Sequence, residues 1–219
     1  MTIPSAVLQG PEADNRLAEL GLEQSTLCAS LAYGYGYAAT CTGHHPLTLP
    51  GTMAWGFAIA ALRDRLVYED WKIGRFNNFE TVIHPSGTHA VAVTSGDAHA
   101  GDPISTPRTR YRKGQAMELV VSGNLQMSLA AVAHDDALVP EEANPVSMRT
   151  WLLLHYYDRI AEAVQAELSL PSFIENGWVT GWAERIMVDP VPFSTGFDLP
   201  AEHDDLEDGI DIDINRRSS

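Results

Sequence analysis

Apolar residues recur at helical spacing in several parts of the chain. The spacing of four leucines predicts two short helices between residues 12 and 33, with a break at Gly21. A longer helix is predicted from Thr52, as its N-cap, to about Asp70, and another over residues 115–134. The four leucines are Leu17, Leu20, Leu27 and Leu31.

Strand patterns dominate the remaining regular segments. Residues 81–95 predict a hairpin with its turn at residues 85–88, because two runs rich in β-branched residues flank a Pro-Ser-Gly-Thr sequence. Three later apolar or alternating runs, over residues 150–157, 164–170 and 178–188, predict an antiparallel meander. Together these elements predict an α+β fold in which N-terminal helices pack on a mostly antiparallel sheet.

Proline, glycine and charge divide the chain into three regions. Residues 1–11 predict a flexible arm, residues 12–193 a single α+β domain, and residues 194–219 a disordered acidic tail. The tail ends near a strict Asp-Ile-Asp-Ile alternation at residues 211–214, which a purely solvating segment does not require. Inside the domain, residues 96–114 predict a long polar loop, a feature usually associated with function or disorder.

The charge balance limits the classes of partner. Twenty-nine acids and fourteen bases give a formal net charge of −15, and only Lys72 and Lys113 are lysines. A field of this sign repels phosphate, so broad binding to nucleic acid or to an anionic membrane is disfavoured. We also expect no membrane partner, because the sequence contains no apolar run of about 18 residues.

Cysteine usage and the N-terminal sequence suggest a compartment. Cys28 and Cys41 are too few to predict a disulfide framework, and no secretory signal is recognisable at the start of the sequence. We therefore expect a cytoplasmic location.

The segment from residue 106 to residue 114 is the most informative part of the predicted loop. It places four of the fourteen bases within six residues, beside hydroxyl groups and a glycine. Such a segment can bind phosphate, a nucleic-acid backbone or an acidic protein, or it can neutralise the chain's own acids, including those of the tail. The candidate anion-binding residues are Arg108, Arg110, Arg112 and Lys113.

A metal site is the main catalytic alternative. In the predicted hairpin His84 and His89 lie opposite each other, and Asp97, His99 or Asp102 can approach from the following loop. This set predicts a metal-dependent hydrolase or nuclease. The same two histidines are also compatible with a hydrogen-bonded pair at the edge of the core.

Other chemistry receives less support. Familiar phosphate-loop, dinucleotide, nucleophile-elbow and zinc-helix motifs do not occur, so we expect no cofactor and leave open whether the protein is an enzyme. Cys41 with His44–His45 is a possible nucleophile cluster, and Glu167 with Glu184 a possible carboxylate pair. Alternating tyrosines and glycines at residues 33–37 predict an extended strand with its rings on one side.

Several short motifs resemble a family of uncharacterised proteins carried by bacterial phages, plasmids and integrated elements. Between Thr81 and Asn124 the motifs are His-Pro-Ser-Gly, Thr-Ser-Gly-Asp, Thr-Pro-Arg-Thr and Lys-Gly. Ala-Glu-Leu-Ser-Leu-Pro at residues 166–171 and Trp-Ala-Glu-Arg-Ile at residues 182–186 are similar as well. The resemblance implies a mobile-element setting and carries no catalytic role.

These observations rank three functions. The first is a cytoplasmic accessory or interaction protein of a mobile genetic element, which binds an anionic, protein or nucleic-acid-associated partner through the basic segment. The second is the metal-dependent hydrolase or nuclease. The third is an acidic mimic of nucleic acid that inhibits a DNA-handling enzyme.

Overall fold

A computed structural model describes residues 5–133 and 148–192, with side chains up to residue 127 in the first of these parts. The acidic tail predicted over residues 194–219 lies outside the described residues. In the described parts, the helices are α1 (Pro11–Glu19), α2 (Gln24–Ala38), α3 (Leu49–Leu66) and α4 (Gln115–Ala133). The strands are β1 (Ala6–Leu8), β2 (Lys72–Phe76), β3 (Phe79–Ile83), β4 (His89–Ser95), β5 (Arg149–Asp158), β6 (Ala163–Glu175) and β7 (Trp178–Pro192).

The strands form one seven-stranded sheet in the order β1-β7-β6-β5-β4-β3-β2. Two neighbouring pairs, β1 with β7 and β4 with β5, are parallel, and the other four are antiparallel. The α+β class with a mostly antiparallel sheet is therefore confirmed. The hairpin predicted over residues 81–95 is β3 and β4, the predicted meander is β5 to β7, and the helix predicted over residues 115–134 is α4.

Helices cover both faces of the sheet. The larger core lies between α1, α2 and α3 and one face of the central strands, where Trp151, Leu153 and Leu168 are fully buried. The second core lies on the opposite face, where α4 contributes Met117 and Val120. Because both faces are covered, polar side chains of the central strands are buried as well.

Three local predictions were wrong. Residues 33–37 belong to α2 and not to a strand. Gly34 allows α2 to lie so close to α3 that a Cβ at this position would be 2.3 Å from the Ala54 carbonyl oxygen, and this packing overrides the weak helix propensity of glycine.

The long helix begins at Leu49, so Thr52 lies inside it and its hydroxyl donates to the Thr48 carbonyl at 3.0 Å. Ala6–Leu8, within the predicted arm, instead pair with β7.

The far end of the β6–β7 hairpin bends back over the second face of the sheet. Register irregularities in β6 surround Pro171, where the ladder is interrupted. The buried Asn124 side chain of α4 compensates, since its amide group donates to the Thr150 and Pro171 carbonyls at 3.0 and 3.1 Å. It also accepts the Thr150 amide at 2.9 Å. The bend brings residues 177–182 against the loop that precedes α4.

Among the helices that the structure describes, none combines the length and the apolar character that crossing a bilayer requires.

Candidate functional site

The basic segment lies between the end of β4 and the bent tip of the β6–β7 hairpin. Pro107 and Thr109 are buried, whereas Arg108 and Arg112 are exposed and Arg110 is half-buried. The alternation over residues 107–110 is typical of an extended stretch that has one side against the protein, and the chain then bends at Arg110 and Tyr111. Three backbone hydrogen bonds fix it: from Arg110 N to Ser95 O at 2.9 Å, from Thr109 N to Val179 O at 3.1 Å, and from Lys113 N to Gly177 O at 2.7 Å.

Aromatic rings support two of the three arginines. The Arg108 guanidinium lies 4.5 Å from the centroid of the Trp178 ring, and its side chain remains 54% exposed. Arg110 lies 5.7 Å from the centroid of Tyr111. The contact with Trp178 holds the Arg108 guanidinium in place while the side chain stays exposed. We call Arg108, Arg110 and Arg112 the arginine surface.

Lys113 does not belong to this surface. Its ammonium group points inward and donates to the Thr94 hydroxyl at 2.6 Å, and burial lowers the pKa of Lys113 to about 8. The four-base anion site predicted from the sequence is therefore corrected to three arginines. The carboxylate of Asp97 lies 3.8 Å from the Arg108 guanidinium and neutralises part of its charge.

A buried ion pair anchors the loop that carries the arginine surface. Glu167 of β6 and Arg185 of β7 are 0% and 2% exposed, and the guanidinium binds the carboxylate through two nitrogens. The Gly101 amide donates to Glu167 at 3.0 Å, and Arg185 donates to the Asp102 and Ser105 carbonyls at 2.9 and 2.8 Å. Every charged atom of the pair thus has a partner, as burial requires.

The predicted pairing of Glu167 with Glu184 is wrong. Successive residues of a strand point to opposite faces of a sheet, so Glu184 lies on the face opposite that of its neighbour Arg185. There it accepts hydrogen bonds from Arg16 of α1, at 2.6 and 3.2 Å. The sequence pattern missed Arg185 as the partner of Glu167 because it cannot show that the second face is covered.

The hairpin histidines face each other as predicted. Their rings stack with centroids 4.5 Å apart, and the edge of Trp71 contacts both of them. His89 Nε2 donates to the Leu20 carbonyl at 3.0 Å. A chain of hydrogen bonds links the two rings through hydroxyl groups: His84 Nδ1 to Ser86 Oγ at 2.7 Å, Ser86 Oγ to Thr88 Oγ1 at 2.8 Å, and Thr88 Oγ1 to His89 Nδ1 at 3.0 Å.

The structure does not assemble the predicted metal ligands. His89 begins β4 whereas Asp97 and His99 follow its far end, so the length of the strand, about 20 Å, separates the two halves of the set. Three of the four ring nitrogens of His84 and His89 already have hydrogen-bond partners. Within residues 5–133 and 148–192, no three His, Cys, Asp or Glu side chains are placed to hold a metal ion. The histidines are a hydrogen-bonded pair at the core edge.

The predicted cysteine cluster is also not formed. Cys41 is buried, and its thiol contacts the Met53 sulfur at 3.3 Å. His45 Nδ1 instead accepts the backbone amide of Thr42 at 2.9 Å. Cys41 is therefore a packing residue beside α3.

A third histidine lies in the larger core. His155 of β5 is 2% exposed, its Nδ1 shares a hydrogen bond of 2.9 Å with the Tyr35 hydroxyl, and its Nε2 has no hydrogen-bond partner among the described residues. Burial, with a smaller effect of the Lys113 charge, lowers the pKa of His155 to about 4. Burial also lowers the pKa of His89 to about 4, and the charges of His84, Arg16 and Arg149 act in the same direction.

Because the pKa values of His155 and His89 are lowered in the folded protein, we expect the protein to lose stability in mild acid. Above pH 6.5 they are neutral in both the folded and the unfolded chain. Between pH 6.5 and pH 4 the unfolded chain binds protons that the folded chain does not, so the free energy of unfolding falls as the pH falls. His155 alone contributes about 1.4 kcal/mol per pH unit, and His89 adds to this slope.

Urea denaturation of the wild type and of His155→Phe, between pH 7 and pH 4.5, measures this effect. The variant is expected to show a shallower dependence on pH, whatever its stability at pH 7. If the free energy of unfolding depends on pH equally in the two proteins, the pKa of His155 is not lowered by burial as stated.

Comparison with protein-family models, with curated proteins and with solved structures found no match to this chain. The mobile-element resemblance stays a prediction.

Proposed function

We propose that this protein binds an anionic partner through the arginine surface. The observation that carries the proposal is that three arginines lie within five residues of one segment, with Arg108 and Arg112 exposed, and that backbone hydrogen bonds hold this segment against β4 and the hairpin tip. Arg108 and Arg112 lie on either side of the bend at Arg110 and Tyr111. A short peptide that carries several acids can contact the exposed guanidinium groups of Arg108 and Arg112 together.

The chemistry of the surface favours ionic contacts over base stacking. Arg108 and Arg110 already lie over the Trp178 and Tyr111 rings, so the rings serve to position the cations. Guanidinium edges bind carboxylates and phosphates through paired hydrogen bonds. Because the whole chain carries a net charge of −15, a partner with a few acids is repelled less than a long nucleic acid. The proposed partner is therefore a short acidic segment of another protein.

We also propose that the protein acts as a cytoplasmic accessory protein of a mobile genetic element. This role is the one that the sequence resemblance implies, and binding of an acidic protein segment is compatible with it. The acidic mimic of nucleic acid is the second candidate, supported only by the charge of −15. The metal-dependent hydrolase is not proposed again, since its ligands are divided between the two ends of β4.

Binding of a fluorescent peptide with aspartate at alternate positions tests the proposal. The triple variant Arg108→Gln, Arg110→Gln and Arg112→Gln is expected to bind this probe at least about tenfold more weakly than the wild type, because exposed ionic contacts contribute up to about 1 kcal/mol each. A matched triple variant, Arg65→Gln, Lys72→Gln and Arg159→Gln, changes the net charge equally and is expected to stay within about twofold of the wild type.

Two further binding measurements distinguish an acidic peptide from a nucleic acid as the partner. Single-stranded DNA is expected to bind more weakly than the peptide at the same ionic strength. Truncation after Leu199 removes acids of the tail and is expected to strengthen peptide binding. If the arginine variant binds as the wild type does, or if DNA binds more tightly than the peptide, the acidic-peptide proposal is wrong.

A further inference from the structure

Helices α2 and α3 form a hairpin whose outer side carries no charged residue over most of its length. Residues 24–62 contain no Asp, Glu, Lys or Arg, although these residues make up 20% of the whole chain. A surface helix normally has charged residues opposite its buried stripe, and a helix that is apolar all round is normally buried. The outer side of this hairpin therefore has the composition of a contact surface.

Aromatic side chains project from the outer side of the hairpin. Tyr33 and Tyr37 of α2 are 45% and 37% exposed. Phe57 of α3 stacks on the Tyr37 ring with the ring centroids 3.7 Å apart, and Tyr33 packs edge-on against both rings. Because the rings already hold one another in place, a contact with them costs little side-chain entropy. Aromatic residues of this kind often provide most of the binding energy of an interface.

Small residues flank the aromatic cluster. Ala29 and Gly36 lie on α2, Gly56 and Ala60 lie on α3, and none of the four is buried. Among the described residues, no side chain and no other element comes within 4 Å of a Cβ placed at Gly36 or Gly56. Projecting rings thus lie beside shallow depressions. We call the three aromatic and four small residues the uncharged face.

The charge of the molecule favours a second copy of this chain as the occupant of the uncharged face. Helices that bind at a lipid surface carry Lys or Arg around their apolar residues, which this hairpin lacks, and a net charge of −15 repels anionic lipid. A partner with charged contact residues would bury them opposite side chains that cannot pair with them. A second copy presents an equally uncharged face and avoids this cost.

The shape and the size of the uncharged face also suit a symmetric dimer. A two-fold interface joins the same patch on both copies, so it needs projections and depressions within one patch. Two helices side by side, about 22 Å long and together about 20 Å wide, have a flat footprint of about 440 Å². Because side chains roughen the surface, two copies bury on the order of 1,000 Å² in total, the lower limit for a specific interface. We therefore expect a weak dimer, with a dissociation constant in the micromolar range.

We propose that two copies of this chain associate through the uncharged face, with their α2–α3 hairpins packed across a two-fold axis. The rings of each copy contact the small residues of the other. Asp64 and Arg65, in the last turn of α3, are exposed and lie at the rim. The arginine surface precedes α4, which covers the opposite face of the sheet, so this association is independent of it.

Sedimentation equilibrium of the full-length chain, from low to high micromolar concentration, tests the proposal. Gly56→Lys places a charge in the uncharged face at a position with open space, and lysine has the higher helix propensity. We expect the dissociation constant of the dimer to rise at least about tenfold, because a charge without a partner is costly to bury. The control Asn15→Lys, at an exposed position of α1, changes the net charge equally and is expected to stay within about twofold of the wild type.

The dependence on salt provides a second measurement. Because each copy carries a net charge of −15, screening of their repulsion is expected to strengthen the dimer as the ionic strength rises. Contacts between the arginine surface and acids of another copy would weaken instead. A monomer at every concentration, equal dissociation constants for Gly56→Lys and the wild type, or a dimer that weakens with salt would overturn the proposal. A dimer that forms only after truncation at Leu199 would also overturn it, because the chain's own C-terminal residues would then occupy the face.

Discussion

Replacing Arg185 by methionine is expected to lower the free energy of unfolding by about 3–5 kcal/mol. The change leaves the Glu167 carboxylate buried without its counterion, at a site that is 0% exposed. It also removes the donors that hold the Asp102 and Ser105 carbonyls, so the loop before α4 loses its anchor. Urea denaturation at pH 7 measures the loss, and hydrogen exchange in residues 97–109 is expected to rise with it.

A partly exposed ion pair of the same type is the matched control. Arg16 and Glu184 are 26% and 20% exposed, so Arg16→Met is expected to cost about 1 kcal/mol or less. The double variant Glu167→Leu with Arg185→Met removes both buried charges and is expected to be more stable than Arg185→Met alone. Similar losses for Arg16→Met and Arg185→Met would contradict the role assigned to the buried pair.

Gly34→Ala is expected to destabilise the protein by about 3 kcal/mol or more, at the upper end of the range for overpacked cores. The new methyl group would lie 2.3 Å from the Ala54 carbonyl oxygen and 2.9 Å from the Ala58 Cβ. Backbone and Cβ atoms cannot rotate away, so α2 and α3 must move apart. Thermal unfolding measures the effect, with each 1 kcal/mol corresponding to about 2–4 °C for a chain of this size.

Gly36→Ala separates this clash from helix propensity. Gly36 lies two residues further along the same helix, and among the described residues no side chain and no other element comes within 4 Å of a Cβ at this position. The substitution is expected to stabilise the protein by up to about 1 kcal/mol. If both alanine variants lower the melting temperature equally, the destabilisation by Gly34→Ala does not come from the close packing of α2 on α3.

The hairpin shows how far local patterns extend. Two runs of β-branched residues around Pro-Ser-Gly-Thr were sufficient to place His84 opposite His89, because a hairpin register depends on residues within a few positions. The same pattern also places Asp97 and His99 beyond the other end of β4, away from the two histidines. That separation follows from strand length once the loop position is known.

The arginine surface was predicted only in part. Four neighbouring bases indicated an anion site, and the structure leaves Arg108 and Arg112 exposed. The direction of Lys113 depends on Thr94 of β4 and on the hairpin tip at Gly177, both distant in sequence. Its burial was therefore invisible in the spacing of the bases.

The sequence by itself determined the α+β class, the hairpin, the three-strand meander and α4, because each depends on a periodicity within a short window. Only the tertiary structure decided that residues 33–37 are helical, that Ala6–Leu8 form β1, and that Glu167 and Arg185 are buried together. Each of these outcomes requires a contact with a distant element. The free energy of such a contact outweighs the local preference that the sequence pattern records.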